Sequence, residues 1–152
     1  MKNLFLFFTL ILNISNYAQQ GWFLQSPSPT IQDLRDVFFI DTLNGWSVGD
    51  AGVIIKTSDG GENWSLLNSN SNSTLSSIKF WDDQIGIVVG GTILKTTDGG
   101  DNWNTKYSTP QFLWSVQVLD NDICWAVGQS GFIVKSTDSG ESWIQQTSGT
   151  TK

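Results

Sequence analysis

The chain has 152 residues, with eight Lys and Arg against fourteen Asp and Glu, no His, and a formal net charge of −6. This charge argues against nucleic acid or an anionic lipid surface as a partner, because both are bound by clustered basic residues. The single cysteine, Cys124, excludes a disulfide within the chain, so we expect an apolar core to hold the fold.

The first eighteen residues are typical of a secretory signal peptide. Lys2 is followed by the apolar run Leu4 to Leu12 and by a small, polar segment that ends at Ala18. The run is shorter than the ~20 residues that span a bilayer. We therefore expect cleavage after Ala18 and an exported mature domain over residues 19–152. An uncleaved anchor is the alternative, although no stop-transfer pattern follows the run.

Short β-patterned segments begin directly after this leader. Gly21 to Gln25 resembles the outermost strand of a later repeat, and Pro27 and Pro29 mark a turn after it. Val, Ile, Phe and Trp then dominate four segments that Gly, Asp, Asn and Ser separate. The strands predicted for this first repeat are Leu34 to Ile40, Trp46 to Gly49, Val53 to Thr57 and Trp64 to Leu67.

The same pattern occurs three times. Asp59, Asp98 and Asp138 lie 39 and 40 residues apart, and the repeats cover about 31–68, 73–108 and 111–148. The second repeat lacks two residues after Gly90, which places a hairpin tip there. Four short strands in a repeat of ~40 residues indicate propeller blades. We predict an all-β partial β-propeller, with three four-stranded antiparallel blades preceded by one outer strand.

Each repeat contains the pattern Ser or Thr, any residue, Asp, any residue, Gly, two residues, Trp. The Asp can accept backbone N–H bonds, as in an Asx-turn, and the Gly permits a positive φ. The Trp can then fold over the turn. Local turn chemistry explains every part of the motif, so we favour a structural role over calcium or sugar binding. The residues concerned are Asp59, Gly61, Trp64, Asp98, Gly100, Trp103, Asp138, Gly140 and Trp143.

These residues resemble the Asp-box, or bacterial neuraminidase repeat, β-propellers. The segments Gly45 to Gly49 and Gly91 to Gly100 are most similar to the repeat of photosystem II assembly and stability factors, and the likeness extends from Leu34 to Trp143. The resemblance implies a non-catalytic assembly role without a cofactor. It also implies a periplasmic, cell-surface or extracellular location in a Gram-negative bacterium, where such repeats are common. Because a closed propeller has about four to eight blades, three blades predict a truncated or partial ring.

The sequence has few of the residues that an enzymatic function would require. A sialidase needs an arginine cluster and a tyrosine nucleophile, whereas the mature chain offers Arg35 and Tyr107. A two-carboxylate glycosidase could draw on Asp82, Asp83, Asp120 or Asp122, but acidic residues recur at that turn in every repeat. Without histidine or a cysteine cluster, we expect no metal site.

The sequence therefore predicts an exported, non-catalytic module for protein interaction or complex assembly. The alternative is a cell-envelope propeller that binds or hydrolyses carbohydrate. Partner contacts are expected at residues that differ between the repeats, namely Arg35, Trp81 and Trp114. The exposed apolar ends of a partial propeller would also favour a protein partner or self-association.

Overall fold

The computed structural model describes residues 29–120 and 122–150. The predicted signal peptide, residues 1–18, and the predicted strand Gly21 to Gln25 lie outside this part of the chain. The described residues form three four-stranded antiparallel sheets, each built from strands that follow one another in sequence. Within the described residues, no helix is long and apolar enough to cross a membrane.

Each sheet is one blade, and its strands run from the innermost to the outermost in chain order. Blade 1 contains β1 (Leu34–Phe39), β2 (Gly45–Gly49), β3 (Ile54–Thr57) and β4 (Ser65–Leu67). Blade 2 contains β5 (Leu75–Phe80), β6 (Gly86–Gly90), β7 (Ile93–Thr96) and β8 (Asn104–Tyr107). Blade 3 contains β9 (Leu113–Val118), β10 (Cys124–Gly128), β11 (Ile133–Ser136) and β12 (Ile144–Gln146). The all-β partial propeller predicted from the sequence is confirmed.

The hairpin between the second and third strands differs between the blades. Blades 1 and 3 close it with a short 3₁₀ turn, at Asp50–Gly52 and Gln129–Gly131. In blade 2 the chain passes from Gly90 to Ile93 without such a turn. The two-residue gap in the second repeat thus falls at a hairpin tip, as predicted.

Apolar side chains of neighbouring blades bury one another in two clusters. Between blades 1 and 2, Trp46 and Ile54 pack with Leu75, Ile78 and Phe80. The cluster between blades 2 and 3 is led by Ile87, Val89, Ile93, Leu113, Val116 and Trp143. Blade 2 has a blade on each side, and β6 is buried along its whole length, which explains its continuously apolar sequence.

Candidate functional site

The Asp of each repeated motif accepts hydrogen bonds from within its own turn. In blade 1, Asp59 Oδ1 accepts from the Thr57 hydroxyl at 2.7 Å and from the Asn63 backbone N–H at 2.9 Å, and Oδ2 accepts from the Asn63 side chain at 2.8 Å. Gly61, with φ of 91°, donates its N–H to the Thr57 hydroxyl at 3.0 Å. The same set recurs around Asp98 and Asp138. Both carboxylate oxygens are therefore engaged by the turn in every blade.

These bonds favour the ionised carboxylate. The Asn63 backbone N–H, with support from the Asn63 and Thr57 side chains, lowers the pKa of Asp59 to about 2. In blade 3, the Ser142 hydroxyl and backbone N–H lower the pKa of Asp138 to about 2. A general acid requires a raised pKa, so these carboxylates are poor proton donors near neutral pH.

A β-bulge interrupts the innermost strand of every blade, one residue after it begins. The pairing skips the second residue of the strand, which is Arg35 in blade 1, Ser76 in blade 2 and Trp114 in blade 3. A bulge re-aims the side chain of the unpaired residue, and bulges are common beside functional sites. Arg35 and Trp114, both predicted as contact residues, therefore occupy one structurally equivalent position in different blades.

Arg35 and Trp114 line one cavity of about 260 Å³, together with Thr74, Phe112 and Gln129. The ring of Trp114 is tilted against Phe112 with 4.6 Å between the ring centroids, and Trp114 remains 52% exposed. The cavity thus has an aromatic wall and a cationic wall at the bulged end of the inner strands.

The guanidinium of Arg35 is oriented by Asp50, which lies in the 3₁₀ turn of the same blade. Arg35 Nε and Nη2 donate to the two Asp50 carboxylate oxygens at 2.5 and 3.0 Å. The hydrogen bond from Arg35 lowers the pKa of Asp50, and the same hydrogen bond raises the pKa of Arg35. A two-point contact of this kind holds the guanidinium plane in a single direction.

Trp81 lies away from this cavity. It follows the last residue of β5, whereas Arg35 and Trp114 lie near the starts of β1 and β9. Its indole N–H donates to the Asp120 carbonyl of blade 3, and its ring packs against the core cluster between blades 2 and 3. The structure thus brings together two of the three predicted contact residues, and a partner contact at Trp81 stays a prediction.

Two of the four carboxylates considered for glycoside hydrolysis, Asp82 and Asp120, cap the turn between the first and second strands. Asp82 Oδ1 accepts from the backbone N–H groups of Gln84 and Ile85 at 2.9 and 2.6 Å, and Asp120 makes the equivalent bonds in blade 3. Within residues 29–120 and 122–150, no group of three or more His, Cys, Asp or Glu side chains could hold a metal ion. Burial raises the pKa of the Cys124 thiol to about 11, which makes it a poor nucleophile.

Three lining residues were not predicted from the sequence. Phe112 and Thr74 each precede an inner strand, and Gln129 begins the 3₁₀ turn of blade 3. The only signal in the sequence was that Phe112, two residues before Trp114, is an aromatic residue at a repeat boundary. Their convergence depends on how two blades are rotated against one another, which a single repeat does not encode.

Comparison with known proteins agrees with this architecture. The sequence matches the family described as "Photosynthesis system II assembly factor YCF48" over residues 15–107 and again over residues 64–151. The chain belongs to this YCF48 family. Comparison with curated protein sequences gave no match.

Two solved YCF48 structures share the fold. "YCF48 bound to D1 peptide" superposes with a TM-score of 0.67 at 28% identity, covering 80% of this chain and 41% of that one. "YCF48 from Cyanidioschyzon merolae" gives a TM-score of 0.68 at 31% identity, covering 80% of this chain and 39% of that one. The chain therefore spans about two fifths of the length of each YCF48 structure.

Proposed function

We propose that this chain is an exported, non-catalytic module that binds a polypeptide segment and thereby supports the assembly of a protein complex. The observation that carries the proposal is the cavity lined by Arg35, Phe112 and Trp114, where two bulges direct a cation and an exposed aromatic ring to one place. Arg and Trp are the residue types that most often dominate the energy of protein interfaces. The related structure of YCF48 bound to D1 peptide supports a polypeptide as the ligand class.

The chemistry of the cavity suits recognition better than turnover. Arg35 can present its remaining N–H donors to a backbone carbonyl or a carboxylate, while Phe112 and Trp114 offer apolar surface to a side chain. Asp50, the acidic residue beside the cavity, accepts two hydrogen bonds from Arg35 and has a lowered pKa. Neither general acid catalysis nor metal chemistry is supported by these groups.

Export is supported by the pattern of the first eighteen residues, which is that of a secretory signal peptide. N-terminal sequencing of the protein recovered from the periplasm or medium of an expressing Gram-negative host tests it. We expect the mature chain to begin at Gln19. Recovery of the uncleaved chain in the membrane fraction would contradict export as a soluble domain.

Parallel screens against a displayed peptide library and a glycan array test the ligand class. We expect enriched peptides that bind the wild-type chain and lose at least tenfold in affinity, about 1.4 kcal/mol, on Trp114→Ala. Ile144→Ala is the matched control, because Ile144 is an exposed apolar residue of the same blade that lies outside the cavity. Glycan binding without peptide binding, or turnover of a sialoside or xyloglucan, would replace the proposal with the carbohydrate alternative.

A further inference from the structure

The first and last blades each leave one apolar sheet face without a neighbouring blade in the described part of the chain. The leading face of blade 1 is formed by Leu34, Val37 and Phe39 of β1, with Gly60, Gly61 and Glu62 of the turn after β3 beside them. The trailing face of blade 3 is formed by Trp125, Val127, Ile133 and Lys135. Contiguous apolar faces of this kind mark interaction surfaces.

Comparison with equivalent residues shows that these faces are halves of blade interfaces. On the leading face, Phe39 is 40% exposed, whereas its counterpart Phe80 in blade 2 is 3% exposed. Val37 is 55% exposed, while its counterpart Ile78 is fully buried. On the trailing face the same holds for Val127, which is 43% exposed although Val48 and Val89 at the equivalent positions are fully buried.

The contact between blades 1 and 2 shows how such halves join. The Trp46 ring stacks on Phe80 with 3.8 Å between centroids, and its indole N–H donates to the Gly99 carbonyl at 3.0 Å. Lys56 Nζ lies 5.3 Å from the centre of the Trp46 ring and donates to the same carbonyl at 3.0 Å. A Trp–Lys pair on one blade thus binds a Phe and a turn carbonyl on the next.

Blade 3 presents this Trp–Lys pair again, with no blade behind it in the described residues. Trp125 and Lys135 occupy the positions of Trp46 and Lys56, as the strand pairing shows, and Lys135 Nζ lies 4.9 Å from the centre of the Trp125 ring. Both side chains are only partly buried. The pair is therefore already arranged for a contact of the same kind.

Blade 1 presents the matching Phe and turn. Phe39 packs edge-on against Trp64 with 5.9 Å between centroids, as Phe80 does against Trp103 at 6.1 Å. The Gly60 carbonyl is the equivalent of the Gly99 carbonyl, and Gly60 is exposed whereas Gly99 is buried. The leading face of blade 1 thus has the same Phe–Trp arrangement and the same turn carbonyl as that of blade 2.

Charge at the two faces is complementary as well. Lys95 of blade 2 donates to Glu141 of blade 3 at 2.7 Å. Lys135 and Glu62 occupy the equivalent positions on the two uncovered faces. Joining these faces would therefore place a lysine opposite a glutamate.

We propose that a second copy of this chain docks head to tail, with the trailing face of blade 3 on the leading face of blade 1. In this contact Trp125 stacks on Phe39 of the second copy and donates to its Gly60 carbonyl, and Lys135 faces its Glu62. The interface repeats the one that already joins blades 1 and 2. Two copies joined twice in this way would bring the six blades of their described residues into one ring, and closed propellers have about four to eight blades.

Two exposed apolar residues lie beside these faces but outside the contact, and they provide matched controls. Leu66 is 58% exposed, and its equivalents Thr105 and Gln145 are exposed too, although blades 2 and 3 are covered on that side. Ile144 is 66% exposed, and the residue at its position is exposed in every blade. Neither position is buried by a neighbouring blade.

Light scattering on the purified full chain tests the proposal. The wild type is expected at twice the mass of one chain, and Phe39→Ala and Trp125→Ala are each expected at the mass of a single chain. Leu66→Ala and Ile144→Ala should keep the doubled mass. Circular dichroism of each variant verifies that the sheets remain folded.

Mixing the two monomeric variants distinguishes this contact from other modes of association. Phe39→Ala retains an intact trailing face and Trp125→Ala an intact leading face, so an equimolar mixture should recover the doubled mass through one interface. Glu62→Lys and Lys135→Glu should each weaken the dimer, and the double variant should restore it. A wild-type chain that stays monomeric, or a mixture that stays monomeric, would overturn the proposal. Loss of dimer in only one of the two alanine variants would also overturn it, because that result indicates like-to-like packing or a leading face covered by residues 1–28.

Discussion

Trp46 should contribute more to stability than any aromatic residue at an uncovered face. Its side chain is 1% exposed, stacks on Phe80 and donates to the Gly99 carbonyl at 3.0 Å. Trp46→Phe removes the N–H and part of the ring, but Lys56 still donates to that carbonyl, so no acceptor is left unpaired. We expect a loss of about 2 kcal/mol, roughly half from the hydrogen bond and half from buried area. Trp46→Ala, which opens a cavity, should cost about 3–5 kcal/mol.

Urea unfolding followed by circular dichroism measures these losses at protein concentrations low enough to keep the chain monomeric. The matched control is Trp125→Phe, which makes the same change at the same strand position of blade 3, where the ring is only partly buried. Its expected cost is below about 1 kcal/mol. Equal losses for the two Phe variants would refute the inference that burial between blades, and not the residue type, determines the stability.

Three further outcomes follow from the buried and ionised groups. The folded-state pKa of Asp59 is about 2, below its usual 3.8, so its contribution to stability is present above pH ~4 and is lost as the pH falls through ~2. The midpoint of urea unfolding should therefore fall as the pH is lowered through this window, and it should fall less steeply in Asp59→Asn. Gly86→Ala would place a methyl group 2.6 Å from the Phe80 ring and should lower the free energy of unfolding by about 1–3 kcal/mol. The loss should be smaller in a Phe80→Val background, and a double-mutant cycle that shows no coupling between the two positions would contradict this contact. Cys124, buried and with a pKa of about 11, should resist alkylation in the native protein and react once urea unfolds it, as mass spectrometry would show.

The repeated pattern made the strands of each blade predictable, because the enrichment in Val, Ile, Phe and Trp and the turn residues that separate these segments are local properties. The predicted segment Leu34 to Ile40 differs from β1 by one residue, since Ile40 already donates its N–H to Asn44 in the following turn. Aligning the repeats also explains Cys124. Gly45 and Gly86 lie directly under the rings of Phe39 and Phe80, and the smaller Val118 in blade 3 leaves room for a larger residue.

The candidate site was only partly predictable. Comparison of the repeats singled out Arg35 and Trp114, because residues that differ between the repeats are not needed for the shared blade structure and can make specific partner contacts. The bulges at both positions, and the convergence of Arg35 and Trp114 on one cavity, depend on the register and on blade packing. For Trp81, the bond to the Asp120 carbonyl comes from the neighbouring blade, 39 residues away in the chain. Such contacts between blades have no signature within one repeat.

Binding of a polypeptide at the cavity beside Trp114 can be followed through the indole N–H resonances of the eight tryptophans. A ¹⁵N-labelled chain would be titrated with an enriched peptide and, separately, with an array-selected glycan. We expect the peptide to shift the Trp114 resonance, assigned by its absence in Trp114→Phe, while the buried Trp46 and Trp103 resonances stay in place. A peptide that leaves the Trp114 resonance unmoved, or a shift produced by the glycan alone, would rule out peptide binding at this cavity.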